Sequence, residues 1–213
     1  MKAAVVKLGG STAGHEELQR WIDIFATARF PLVIVPGGGP FANQVRALQE
    51  PLSYSNDAAH DMAILAMDQF GLVVAERHQR LRPCRSWPAI RETLEGGGIP
   101  VWLPSQMTWN ASDIPQSWDV TSDSLAAWFC RQWGAERLLL IKQTNGFLQH
   151  INLPGLVRSG IVDPLLPEML RSDIALHVAG PQTLGDIAGS LPLADIPGVI
   201  MRNEMADEGI FGQ

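Results

Sequence analysis

The sequence predicts an α/β fold: a three-layer αβα sandwich built on an open, mostly parallel, doubly wound sheet. Short apolar runs alternate with longer amphipathic ones along the 213 residues, the order of a parallel sheet covered by helices. Two early apolar runs stop in glycine turns, 9–10 and 37–39, at the carboxyl ends of the expected strands, where open sheets bind ligands. No internal repeat or low-complexity tract breaks the pattern. The length suits one substantial core, or one domain with two lobes.

Residues 3–8 read as a buried first strand. Over 16–29, Leu18, Trp21, Ile22 and Phe25 recur at helical spacing, so a helix is expected to pack on that strand. Leu32, Val33, Ile34 and Val35 make a second strand, stopped by Pro36. Helices are expected over 41–49, 57–77 and 88–95, then a strand over 99–103. A polar, tryptophan-bearing loop spans 105–120, a length at which loops are often functional. A helix over 123–133 precedes a strand over 137–141. Beyond it come a helix at 164–171, a strand at 174–178, a helix after Pro181 and a last strand at 199–201.

The chain is 46% hydrophobic and 18% charged, which is globular composition rather than disorder. Its net charge is -6 and no basic residues cluster on one face, which argues against nucleic acid or an anionic membrane as partner. Cys84 and Cys130 are far apart without metal-ligand spacing, so neither a disulfide framework nor a zinc site is expected. The apolar run at the N-terminus is too short for a signal peptide. No segment has the ~20 continuous apolar residues of a spanning helix. The expected compartment is the cytoplasm.

Three signals fall in order at the strand ends. Lys7-Leu8-Gly9-Gly10-Ser11 closes the first strand. Glycines allow the backbone close to a phosphate, and a lysine supplies a point charge for phosphoryl oxygens. The chain has three lysines against thirteen arginines, so a lysine inside an apolar strand stands out. Pro36-Gly37-Gly38-Gly39-Pro40 joins the second strand to a helix. Successive free N–H groups at a helix N-terminus make an anion nest, whereas a ligand-free turn seldom needs three glycines. The turn matches neither a Walker A loop nor a dinucleotide fingerprint. Trp118-Asp119-Val120-Thr121-Ser122-Asp123-Ser124-Leu125 opens a third helix. Taken alone, Thr121 or Ser122 there is a helix cap and Asp123 a first-turn carboxylate.

Together, over about residues 1–147, these features resemble the amino-acid kinase superfamily. The Pro36-Gly37-Gly38-Gly39-Pro40-Phe41-Ala42-Asn43 turn is most similar to its methanofuran-biosynthesis branch. So are the Ala59-His60-Asp61-Met62-Ala63-Ile64 helix with Met67-Asp68, the Leu103-Pro104-Ser105 turn, and the Ser117–Leu125 stretch. That branch phosphorylates an aminomethylfuran methyl phosphate. The alternatives are a superfamily kinase acting on uridylate, isopentenyl phosphate or an acyl-amino acid, and a nucleotide- or metabolite-binding protein without turnover.

The resemblance implies one amino-acid kinase domain over 1–213, with an acceptor lobe to about residue 135 and a nucleotide lobe from about 136. It implies ATP and Mg²⁺, a small-molecule acceptor and a homo-oligomer, with the apolar helix at 57–74 as one subunit contact. Lys7 would hold the transferring phosphoryl group, oriented by Asp123, while Gly9, Gly10, Gly37, Gly38 and Gly39 offer amides. No general base is needed because the acceptor phosphate is already ionised. No side-chain metal ligand is assigned. Acceptor candidates are Phe41, Asn43, His60, Asp61, Trp118 and Asp119, with Asp61 or Asp119 for an ammonium, Phe41 or Trp118 for a ring, and His60 for the phosphate. Taken alone, a helical histidine such as His60 is more often structural.

Three features depart from the family pattern, one being that the 147–162 stretch is short for a nucleotide-covering hairpin. Lys142-Gln143-Thr144-Asn145-Gly146 stands where an acidic Asp-Val-Asp-Gly-like turn is usual, and the later helix brings no second lysine. Lys142 or Arg171 is therefore expected to supply that charge, with Thr144 and Gly146 beside the nucleotide.

Overall fold

The computed structural model describes residues 3–202 apart from 110, 151 and 188–191. A seven-stranded sheet carries the fold. Its strands are β1 (Ala4–Leu8), β2 (Leu32–Pro36), β3 (Leu81–Cys84), β4 (Ile99–Trp102), β5 (Arg137–Ile141), β6 (Ala175–Ala179) and β7 (Val199–Met201), in the order β3-β4-β2-β1-β5-β6-β7. All neighbours pair in parallel except β7, which runs antiparallel to β6. The chain winds outward from β1 through β2, then returns to the other side of β1 with β5. The ends of β1, β2 and β5 therefore flank the point where the strand order reverses, where such sheets open a crevice.

The central strands are apolar at every position because both faces are covered. Side chains of one parity in β1, β2 and β5, namely Ala4, Val6, Leu32, Ile34, Leu139 and Ile141, join one core cluster. That cluster takes Trp21 and Phe25 from helix α1 (Glu16–Ala26), Phe70 and Val74 from α3 (Asn56–Ala75), and Leu184 from α9 (Pro181–Ile187). Side chains of the other parity, Val5, Val33, Val35, Leu138 and Leu140, face α4 (Trp87–Glu95), α6 (Ser122–Trp133), α7 (Leu153–Arg158) and α8 (Leu166–Met169). Lys7 shares its parity with Val5 on this second face.

Helix α2 (Gly39–Leu52) buries only Gly39 and packs mainly on α3. By length and composition α3 would pass as a membrane span, with a mean hydropathy of 1.2 over its most apolar window. Half of that window is buried in the protein, and the helix carries His60, Asp61 and Asp68, so its apolarity is that of a core helix. The long loop begins with a short helix, α5 (Ser105–Thr108).

Most expected elements form within a few residues of their anticipated ends. Strand β3 and helix α7 were not anticipated. Strand β3 is an edge strand with an exposed Arg82-Pro83 centre, and a proline there hides strand character because it cannot donate to a ladder. The helix expected at 164–171 is only the single turn α8.

The turns after β1 and β2 pack backbone against backbone. A Cβ on Gly10 would stand 2.2 Å from Gly39 N, and one on Gly37 would stand 2.3 Å from Gly10 N. Part of the glycine requirement is therefore this close approach rather than a ligand. Gly37→Ala should cost more than ~2 kcal/mol, as overpacking against rigid backbone does. Thermal unfolding measures it, and an unchanged Tm would contradict the contact.

Candidate active site

At the carboxyl ends of β1 and β5 two lysines converge on one aspartate. Lys7 belongs to β1, and its register partner on β5 is Leu140. Lys142 lies two residues beyond Leu140, so strand alternation turns it to the same face as Lys7. Its amide extends the ladder by donating to Ala179 O at 2.9 Å. Asp123 sits in the first turn of α6 on that face. Lys7 Nζ lies 2.9 Å from Asp123 Oδ1 as an ion pair, and Lys142 Nζ donates to Oδ2 at 2.5 Å. The three side chains are 7%, 12% and 3% exposed.

This grouping sets the charges. Burial would raise the Asp123 pKa, but Lys142 and then Lys7 outweigh it and hold the carboxyl at about 2. Burial pushes Lys142 down from the ordinary lysine value, and Lys7 adds to this against the pull of Asp123. Each ammonium has three N–H donors, and Asp123 faces one from each, leaving donors for another anion. Two neighbouring buried polar atoms, Ser124 Oγ and Gln143 Nε2, also have no partner among the described residues.

Asp163 holds the start of α6, although no sequence signal marked it. Its Oδ2 accepts the Thr121 and Ser124 amides, each at 2.9 Å, and Oδ1 accepts the Thr121 hydroxyl at 2.6 Å. The carboxylate that caps α6 thus comes from some forty residues downstream, not from Thr121 or Ser122. At the other end of the loop, Asp68 of α3 accepts the Ser105 amide at 3.1 Å and its hydroxyl at 2.6 Å.

Between these clamps and α2 lies a cavity of about 260 Å³. Gly10, Gly38 and Gly39 form one wall, and Asn43, His60 and Trp118 line it elsewhere. Its wall includes Ser122, the chain neighbour of Asp123, while Lys7, Asp123 and Lys142 are not among its lining residues. Arg46 of α2, which carried no sequence signal, also lines it. The Arg46 guanidinium lies 4.3 Å from the centroid of the Trp118 ring, and Trp118 Nε1 donates to Gln49 Oε1 at 2.6 Å. Among the described residues no carboxylate lines this cavity. Burial pushes the His60 imidazole below its ordinary pKa, against Asp61, a Ser117 backbone contact and Asp57.

Several expected residues fall elsewhere. Arg171 precedes β6, at the opposite end of the sheet, where it is exposed and paired with Asp173. It is not the second cation of the cleft; Lys142 is the one beside Asp123. Phe41 is 38% exposed and Asp119 is exposed, and neither lines the cavity. Asp61 lines a smaller neighbouring cavity. Gly9 and Gly37 are outside the cavity wall, and the Gly37 amide already donates to Leu8 O at 2.9 Å. Thr144 Oγ1 accepts the Gly146 amide at 3.0 Å, so that N–H is engaged within its own turn.

Asp123 neutralises two nearly buried ammoniums, so Asp123→Asn should cost about 3–5 kcal/mol, the range for breaking a buried pair. Lys142→Met added to that variant should recover part of the loss by removing one uncompensated charge. Denaturant unfolding of the single and double variants checks both, and additive losses would refute the coupling.

The comparisons with known proteins follow this geometry. The sequence model of the Amino acid kinase family matches residues 2–151. A relative from Methanocaldococcus jannaschii, (5-(aminomethyl)furan-3-yl)methyl phosphate kinase, is 31% identical over 144 residues. That match covers 67% of this chain and 66% of the relative, just under two thirds of its length. Among solved structures, uridylate kinase from Archaeoglobus fulgidus superposes with a TM-score of 0.66 at 16% identity, covering 94% of this chain and all of that one. UMP kinase from Bacillus anthracis gives 0.66 at 16% identity over 96% and 97% of the two chains. Aspartate kinase from Synechocystis gives 0.63 at 12% identity over 96% of this chain and 40% of that one. These structures share the fold, and the family match covers the glycine turns, Lys7, Asp123 and Lys142: the chain belongs to the amino acid kinase family.

Proposed function

We propose that the protein is an ATP-dependent small-molecule kinase that moves the terminal phosphate of ATP to a phosphate-monoester acceptor. The acceptor we propose is (5-(aminomethyl)furan-3-yl)methyl phosphate, and the setting is cytoplasmic methanofuran-type cofactor biosynthesis. The observation that carries this reading is the pair of lysines held by Asp123 beside two glycine turns and a cavity. Phosphoryl transfer needs alignment and charge neutralisation more than proton chemistry. Lys7 and Lys142 have donors to spare for the transferring group, and the amides of Gly10, Gly38 and Gly39 border the cavity in which an acceptor phosphate would lie. Arg46 adds a cation to that cavity. Asp123 acts as a positioning residue, since its low pKa makes it a poor base near neutral pH.

Residues 1–135 form the acceptor lobe in this reading, consistent with a cavity wall drawn wholly from residues 10–125. Residues 136–213 form the nucleotide lobe, with the 142–146 turn beside the ATP phosphates. Asn145 Oδ1 accepts the Gln182 amide at 3.1 Å, which ties that turn to the start of α9. Among the described residues no three His, Cys, Asp or Glu side chains cluster as metal ligands, and both Asp123 oxygens face lysines. A Mg²⁺ ion would therefore come bound to the nucleotide phosphates, where it supplies charge neutralisation. A homo-oligomer assembled through α3 belongs to the same reading, supported by Leu72, which is 42% exposed.

Lys7→Ala and Lys142→Ala should each lower kcat by roughly 10²–10³, the cost of one electrostatic contact to the transferring group. Near-normal kcat in a folded variant would remove that lysine from the mechanism. The depressed Lys142 pKa sets a sign as well. Its charge is lost as pH rises through a folded value below that of an ordinary lysine, so the rate should fall early on the alkaline side. Lys142→Arg should move that limb to higher pH, because arginine keeps its charge.

The acceptor is tested by competition. With Mg-ATP present, the aminomethylfuran phosphate should be phosphorylated in preference to uridylate and to an acyl-amino acid. Preference for either of the others would sink the furan assignment and leave the kinase reading standing.

A further inference from the structure

Beside the main cavity lies a second, smaller one of about 110 Å³. His60 and Ile64 of α3 line both, so the two spaces adjoin across one turn of helix. Their chemistry differs. The larger cavity has three glycines and Arg46 in its wall and, among the described residues, no carboxylate. The smaller one has Asp61, with Trp109 and the polar side chains of Thr108 and Gln116.

Asp61 is half-buried, and among the described residues its carboxylate forms no ion pair or hydrogen bond. The imidazole next to it does not compensate this charge near neutral pH, because burial keeps His60 largely uncharged. Trp109 is 63% exposed, so its indole is accessible to a ligand rather than packed in the core. A carboxylate without a cation beside an accessible indole is the pairing that recognises an alkylammonium, through charge and through the ring face together. Phosphate, by contrast, is disfavoured near an unpaired carboxylate.

We propose that this smaller cavity is a cation subsite, in which Asp61 and Trp109 bind the ammonium group of a zwitterionic acceptor whose phosphate lies in the larger cavity. The proposal rests on the acceptor reading above and deepens it. The acceptor is anionic at one end and cationic at the other, and His60 and Ile64 mark the passage between the ends. Asp119, the other sequence candidate for the ammonium, is exposed and lines neither cavity.

The test compares two acceptors in one Mg-ATP assay: the aminomethylfuran methyl phosphate and its analogue with a methyl group in place of the aminomethyl group. The wild-type protein should favour the amine in kcat/KM by about 10- to 100-fold, the worth of a charged hydrogen bond. Asp61→Asn should collapse that ratio toward one, mainly by raising KM for the amine. Trp109→Ala should reduce it by a smaller factor, and thermal unfolding checks that each variant is folded. If the wild type discriminates and both folded variants discriminate equally well, the subsite is wrong and the kinase reading survives. A wild type that uses both acceptors equally also overturns the subsite alone. If the wild type phosphorylates neither acceptor but does phosphorylate uridylate, the acceptor reading falls and the subsite with it.

Discussion

The buried contact of Asp123 with Lys7 and Lys142 is the interaction on which the site depends. Three ionic groups have been taken out of water at the meeting point of two strand ends and a helix start. Desolvation opposes each charge, and the attraction of Lys142 and Lys7, helped by the positive end of the α6 dipole, keeps the Asp123 carboxyl ionised. That balance ties β1, β5 and α6 to one geometry. It also leaves each ammonium with donors beyond the one that faces Asp123, a setting suited to phosphoryl oxygens.

The loop over 105–121 gains its order from carboxylates that belong to other elements. Asp68 reaches from α3 to the start of the loop, and Asp163 reaches from beyond α7 to its end. Between them Asp113 accepts from Trp128 Nε1 at 2.9 Å, tying the middle of the loop to α6. A loop held at three points can present Trp118 and Trp109 as fixed walls of the two cavities. Arg46 and Gln49 then hold Trp118 from the α2 side, so the larger cavity is bounded by a helix that buries almost nothing else.

The family departure after β5 has a physical answer in the pleat. The family resemblance led to the expectation of a second cation from Lys142 or Arg171, and the lysine beside Asp123 is the one that follows directly on β5. Side chains of one parity in β5 face α6, so a lysine two residues past Leu140 meets Asp123 without rearranging the fold. Arg171 could not serve, since it lies before β6 at the amino end of the sheet. The 142–146 turn is closed on itself, through Thr144 and Gly146, and tied to α9 through Asn145.

By itself the sequence determined the α/β class, most of the strands and helices, and the three strand-end signals at Lys7, the glycine turns and Asp123. These are local: apolar runs, glycines and a charged residue inside an apolar strand can be recognised within a few positions. Edge strand β3 was hidden by its proline, and Asp163 by distance, because a cap supplied from forty residues away leaves no pattern at either end. Arg46 is likewise an ordinary helical arginine until Trp118 is folded over it. The choice of Lys142 over Arg171, and the division of acidic and basic groups between two cavities, were decided only by tertiary structure. Both depend on which face and which end of the sheet a side chain occupies, and strand register and crossover set those over separations that composition and spacing do not encode.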